Sequence, residues 1–251
     1  MIVAGGGALY AEAGPQIQQL AERLRAPFAT TVNGKGVVPE THPLSVGVAG
    51  RFGVPMANSI LQDADCVIFI GSKTGQTTTN GWTQPRPQTP VIHIDIDPDE
   101  IGRNFHNTIG LLADARVGTR ALVQALDGIT LSTDWDPRHI AEVRRAWWDG
   151  EVQYREEPKP GVLKPQEMVR RMRAFMGEHD VMVTDASLAS GWAAGRWQTN
   201  RMGRQFFAPR SGWPWLGSPG GDRRGYCDAP VREHRTCRVP GRRRVQQLIA
   251  Q

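Results

Sequence analysis

Apolar runs that stop at glycine or aspartate, separated by segments of helical periodicity, restrict this chain to very few folds. Ile-Val-Ala at 2–4 meets Gly5-Gly6-Gly7, Cys-Val-Ile-Phe-Ile at 66–70 meets Gly71, and Val-Ile-His-Ile-Asp-Ile at 91–96 meets Asp97-Pro98. A strand that is apolar on both sides has to be covered on both faces, the condition of a parallel sheet lying between helices. Residues 28–32 read as one more strand. Between the runs, Ile17, Leu20 and Leu24 share a helical face after Pro15, and residues 54–61 and 117–126 read as further helices. The expectation for residues 1–127 is therefore a doubly wound α/β domain, a parallel, Rossmann-like sheet whose strands end at Gly5, Gly71 and Asp97.

The pattern changes after that. Asp136-Pro137 opens a helix carrying Ile140, Val143 and Trp147, and Pro158, Pro160 and Gly161 break it, so residues 128–164 read as an interdomain linker. A second, incomplete α/β unit is expected over 165–210: a helix with Met168, Met172 and Phe175 as a core stripe, then a strand at 181–184 ending at Asp185. From Ser211 onward there are turn residues, tryptophans and arginines but no period, and residues 211–251 are expected to lack a core of their own.

Charge follows the same division. The net charge of +5 lies wholly in 211–251, where eight arginines face Asp222, Asp228 and Glu233; the rest of the chain is balanced, with 22 basic and 22 acidic groups. A basic tail on a neutral body can be a nucleic-acid arm, but the arginines follow no helical face. Three cysteines make no disulfide framework. No stretch is apolar enough to span a membrane, and the first residues carry neither a basic nor a long apolar region of a signal peptide. The expectation is a soluble cytoplasmic protein without membrane or nucleic-acid partner.

Several residues are candidates for chemistry, each with a structural counterpart. The glycine run at 5–7 can admit a diphosphate to a helix N-terminus, or can serve a tight strand-to-helix turn. Asp95 and Asp97 stand at a strand end, where open α/β sheets bind ligands, or cap a helix starting at Pro98. His93, between apolar neighbours, reads as a core histidine. Cys227, His234 and Cys237 match no standard zinc spacing.

Taken in order, the strings IVAGGG, NGKGVVPETHPLSVGVAG, DADCVIFIGSKTG, VIHIDIDPDEIGRNF and LLADAR resemble the central domain of thiamine-diphosphate-dependent enzymes of the acetolactate-synthase type. The IDIDP-x-EIG and GKG-x-x-PE-x-HP strings are the specific ones. VMVTDASLASGWAA followed by RQFFAPR resembles the opening of that family's diphosphate-binding domain.

The resemblance implies a 2-keto acid substrate, thiamine diphosphate with magnesium as cofactors, and a homodimer or tetramer. In the family the cofactor adds to the keto acid, carbon dioxide leaves, and the remaining unit is joined to a second carbonyl or protonated. It places the cofactor's diphosphate at Asp185, Ala186, Ser187, Leu188, Ala189 and Ser190, where the family often has Gly-Gln-His. It also implies a flavin position on the central domain, at Gly5, Gly7, Gly71, Ser72, Asp95 and Asp114. The loop GSKTGQTTTNGW departs from the arginine-containing loop of flavin binders, which argues against flavin. A module that binds FAD or ADP without catalysing anything is the alternative reading.

The family's first domain carries a glutamate that activates the cofactor, and its third carries a Gly-Asp-Gly motif that helps hold magnesium. Neither is encoded in this chain as read. The tail, however, is compatible with a shifted reading frame. Read one base later, degenerate codons for 211–224 can give LAGLGWGLPAAIGA and those for 236–244 can give PVVCLVGDG, with Trp213 and Trp215 each forced to glycine. The arginine excess then reflects shifted GC-rich codons. The expectation is a fragment of a thiamine-diphosphate enzyme, inactive alone, with no catalytic residue and no metal ligand of its own.

Overall fold

The structure, a computed structural model, describes residues 1–130, 136–148, 163–185, 187–203 and 206–207. All of them belong to the unit Met1–Ala208. The expectations for residues 211–251, including the shifted frame and the Cys227, His234 and Cys237 set, lie outside the described residues.

The chain begins with strand β1 (Ile2–Ala4), helices α1 (Gly6–Tyr10) and α2 (Gly14–Leu24), and strand β2 (Phe28–Thr30). β3 (Ser45–Val48), α3 (Pro55–Asp63), β4 (Val67–Ile70), β5 (Val91–Asp95), β6 (Thr108–Leu112) and α4 (Ala115–Ala125) follow. Six strands form one sheet in the order β3-β2-β1-β4-β5-β6, and every pairing is parallel. This is the doubly wound α/β arrangement that the apolar runs imply. Strand order reverses between β1 and β4, so the crevice beyond their carboxyl ends is the topological switch point.

Alternation along each strand divides the core in two. On one face Val3, Ala29, Val46, Phe69 and Val91 meet Met56, Ala57, Ile60 and Leu61 of α3. On the other, Ile2, Ala4, Phe28, Ile68, Ile70 and Ile94 meet Ala8 and Leu9 of α1 and Ile17 and Leu20 of α2. Both faces of β1 and β4 are dry, which is why their sequences show no polar alternation. Each large side chain buried this way contributes about 1.5–3 kcal/mol.

Helix α5 (Pro137–Trp148) comes from the segment read as a linker. It lays Ile140, fully buried, and Trp147 against the α3 side of the core. The remaining elements are α6 (Pro165–Phe175), β7 (Met182–Val183), α7 (Leu188–Arg196) and β8 (Phe206–Phe207), with β7 and β8 paired in parallel. Their core is Val169, Met182, Ala193, Ala194 and Trp197, with Val32 packed against it.

Several local expectations need correction. β2 stops at Thr30 because the Thr31 hydroxyl accepts the Gly34 amide and starts a 3-10 turn over Val32–Gly34. β5 stops at Asp95, so Asp97 lies beyond the strand, and Pro98 opens a turn rather than a helix. The α6 stripe of Met168, Met172 and Phe175 holds only in part: Met172 packs against the core beside Val169, the buried residue of that helix, whereas Phe175 is 92% exposed. Strands β3 and β6 carry no unbroken apolar run. Ile109 and Leu112 of β6 are exposed, as an edge position permits.

Candidate functional site

The carboxyl ends of β1 and β4 approach so closely that backbone bonds to backbone. Gly5 N–H donates to Ile70 O (2.8 Å) and Gly7 N–H donates to Gly71 O (2.9 Å). A Cβ on Gly5 would stand 2.2 Å from Gly71 O, and one on Gly71, whose φ is +58°, would stand 2.4 Å from Ala8 N. These glycines are thus required by the close approach of two loops. The amides of Gly5 and Gly7 are spent on protein carbonyls.

Ser72, Asp95 and Asp114 continue this band along the sheet edge. Ser72 is buried; its hydroxyl accepts from Thr74 N–H (3.4 Å), and its carbonyl accepts the Nε2–H of His93 (2.8 Å). That bond fixes the proton on Nε2. His93 is 1% exposed, and burial lowers its pKa below 6.5. It lies 3.9 Å from Asp95 Oδ2, while Asp95 Oδ1 accepts from Asp97 N–H (3.0 Å). Asp95 O receives the Ala113 amide (2.9 Å), and Asp114 caps α4 by accepting from Arg116 and Val117 N–H, both at 3.0 Å. Gly5, Gly7, Gly71, Ser72, Asp95 and Asp114 are therefore brought to one edge of the sheet, Asp114 as a helix cap.

The specific IDIDP-x-EIG string acts as a clamp on the loop after β4. Glu100 is 6% exposed and accepts from Lys73 Nζ (3.0 Å). Asn104 Nδ2 reaches Lys73 O (3.4 Å), Thr74 O (3.2 Å) and Thr74 Oγ1 (3.0 Å). Thr74 is held at φ +47°, a conformation costly for a β-branched residue and sustained here by these contacts.

The 185–190 loop belongs to a different element. Asp185 is exposed, and its carbonyl accepts from Ser187 N–H (2.9 Å). Ala186 lies outside the described residues. Ser187 is the N-cap of α7: its hydroxyl accepts from Ala189 N–H (3.2 Å). Ser190 Oγ donates to Ser187 O (2.8 Å), and Leu188 is 75% exposed. The first turn of α7 has no acidic residue. The helix rests on the central sheet through its small residues, a Cβ on Gly191 standing 2.8 Å from the Phe52 ring and one on Gly195 standing 3.6 Å from Val54.

A buried charged cluster was not foreseen in the sequence reading. Lys35 and Glu40, 1% and 2% exposed, form an ion pair within the GKGVVPE string. Glu40 Oε2 accepts from Thr199 N–H (2.7 Å) and from its hydroxyl (3.2 Å). A lysine and a glutamate five residues apart amid glycine and valine were the available signal. Among the described residues no three His, Cys, Asp or Glu side chains gather to hold a metal, and no helix is long and apolar enough to cross a membrane.

The fold corresponds to a known domain. The family profile described as thiamine pyrophosphate enzyme, central domain, matches residues 1–126. The chain belongs to the thiamine pyrophosphate enzymes. A probable acetolactate synthase large subunit of Methanocaldococcus jannaschii is 32% identical over 216 residues, covering 83% of this chain and 35% of its own length. The acetolactate synthase large subunit of Parasynechococcus marenigrum is 31% identical over 195 residues, covering 77% of this chain and 31% of its own. An acetolactate synthase of Mycobacterium bovis is 28% identical over 225 residues, covering 88% and 34%. The chain thus spans about a third of the length of these relatives, which share 35%, 31% and 34% of their residues with the match.

Proposed function

We propose that this chain carries the central domain and the opening of the diphosphate-binding domain of a thiamine-diphosphate- and magnesium-dependent enzyme. The activity would be that of a 2-keto acid decarboxylase or carboligase of the acetolactate-synthase type, working as a homodimer or tetramer. The observation that carries the reading is the run of relatives named acetolactate synthase, matching up to 88% of the chain among those described above. The proposed division is a central domain at 1–127, a connecting segment at 128–164 and the start of the cofactor domain at 165–210.

The start of α7 suits an anion. It is solvent-open, without an acidic residue in its first turn, and lies at the positive end of a nine-residue helix. The Ser187 hydroxyl accepts the Ala189 amide and so keeps its own proton to donate to a phosphate oxygen. Ser190 has committed its proton to Ser187 O and serves to fix the loop. When bound, thiamine diphosphate supplies a carbon nucleophile able to stabilise the electron pair released with carbon dioxide. What this chain contributes is placement: Phe52 and Val54 seat α7, and α7 presents Ser187 and Leu188.

The test is a titration of the purified 251-residue chain with thiamine diphosphate and magnesium, read by backbone amide shifts and by pyruvate turnover. Weak binding, near ~1 mM or about 4 kcal/mol, is expected at Ser187, Leu188 and Ala189, without turnover. Shifts confined to Gly5, Gly7 and Ser72 would overturn the loop assignment. Turnover matching that of a full-length relative would overturn the reading of an incomplete catalyst.

A further inference from the structure

The Glu40 cluster plays no part in the cofactor reading, yet it joins three separate parts of the chain in a dry place. Its carboxylate binds Lys35 through one oxygen and the amide and hydroxyl of Thr199 through the other. Its own amide donates to Thr199 O (2.9 Å), and its carbonyl accepts from Arg144 NH2 (3.1 Å), whose NH1 reaches His42 O (2.6 Å). Thr199 is fully buried and stands three residues beyond the last residue of α7. Nearby, Gly203 N–H donates to Gly36 O (2.9 Å), so the segment after α7 is bonded to both ends of the GKGVVPE string.

A buried ion pair adds little stability over apolar residues of the same volume, but leaving one buried charge short of partners is costly. If Thr199 withdrew, Glu40 Oε2 would lose two donors where no solvent replaces them. Withdrawal is therefore disfavoured unless the whole cluster opens. Arg144 ties α5 to the same segment through the backbone carbonyls of Glu40 and His42.

We propose that Glu40 is a positioning residue that seats α7, and with it the Ser187 loop, on the central domain. The Lys35–Glu40 pair is a socket and Thr199 the plug. The inference rests on the proposed function only for what the Ser187 loop binds; the seating itself needs no cofactor.

Hydrogen exchange on the full chain without cofactor tests it. In Glu40→Gln, amides of 188–203 should exchange on the order of tenfold faster or more, with 67–70 and 91–95 unchanged. Thr199→Val, which spares the pair, should raise exchange in the same segment by less. Should Glu40→Gln fail to fold, the Lys35→Met, Glu40→Met double variant decides, since it leaves no buried charge. It should keep the central strands protected and free 188–203. Unchanged protection of 188–203, an equal loss in the central strands, or collapse of the double variant would overturn the proposal. Cofactor titration of these variants separates the two readings, because failure at Ser187 would leave the exchange result standing.

Discussion

His93 shows how one side chain can be inert chemically and still set a pH response. It is enclosed between Phe69, 6.2 Å away centroid to centroid, and the loop after β4, where it donates to Ser72 O. Burial lowers its pKa, and the Ser72 carbonyl, Asp95 and Glu100 only partly oppose that. Above pH 6.5 the ring is neutral in both folded and unfolded chains. As pH falls below 6.5, the unfolded chain takes up a proton that the folded one resists, so stability falls until the lowered pKa is reached. Urea denaturation between about pH 8 and 5 should show this loss. His93→Gln, which retains a donor to Ser72, should flatten it, and an unchanged slope would place the effect elsewhere. The residue also bears on what could be read in advance. Its apolar neighbours identified it as core, whereas the acceptor that fixes its proton lies on another strand's loop.

At the scale of elements, the α4 and α6 helices begin under different electrostatic control. α4 is capped by Asp114, so a residue offered as a ligand contact has a structural duty that sequence alone leaves open. In α6, Lys164 provides no side-chain cap; Glu167 lies in the first turn and pairs with Arg170 at 2.8 Å and Arg171 at 2.6 Å. The hydrogen bond from Arg170 first, then that from Arg171, lowers the Glu167 pKa to about 2. Its contribution is complete above pH 4.5 and is lost as pH falls through about 2. The pair is at the surface, so the effect on the whole unit is small. A carboxyl titration followed by NMR should find Glu167 near 2, and Arg170→Ala should raise it; a value unchanged by that substitution would dismiss the pairing. The exposed Phe175 belongs to the same lesson. Helical spacing gave three apolar positions, but the face that meets α7 is set by where α7 lies, and Val169 and Met172 occupy it while Phe175 faces water.

For the whole molecule, the connecting segment matters more than its composition suggests. Ile140 is fully buried in the core formed by β1, β4 and α3, so Ile140→Ala should cost about 2–5 kcal/mol. Urea unfolding followed at the central strands would register it, and no change in midpoint would mean that α5 is dispensable to that core. Much of the sheet was legible in the sequence because strands dry on both faces need unbroken apolar runs, as Val67 to Ile70 has, and because glycine must stand where Gly5 meets Gly71. The helical period of Ile17 and Leu20 likewise follows from one face being buried. β6 was hidden because an edge strand may leave Ile109 and Leu112 in water and so breaks the pattern. The Glu40 cluster was hidden for another reason. A buried charge is tolerable only beside its partners, and Thr199, 159 positions away, becomes a partner only when the chain has folded. Local patterning thus determined the inner strands, most of the helices and the family of this protein. Tertiary structure alone decided which glycine amides were spent, which aspartate became a cap, and which distant groups Glu40 meets.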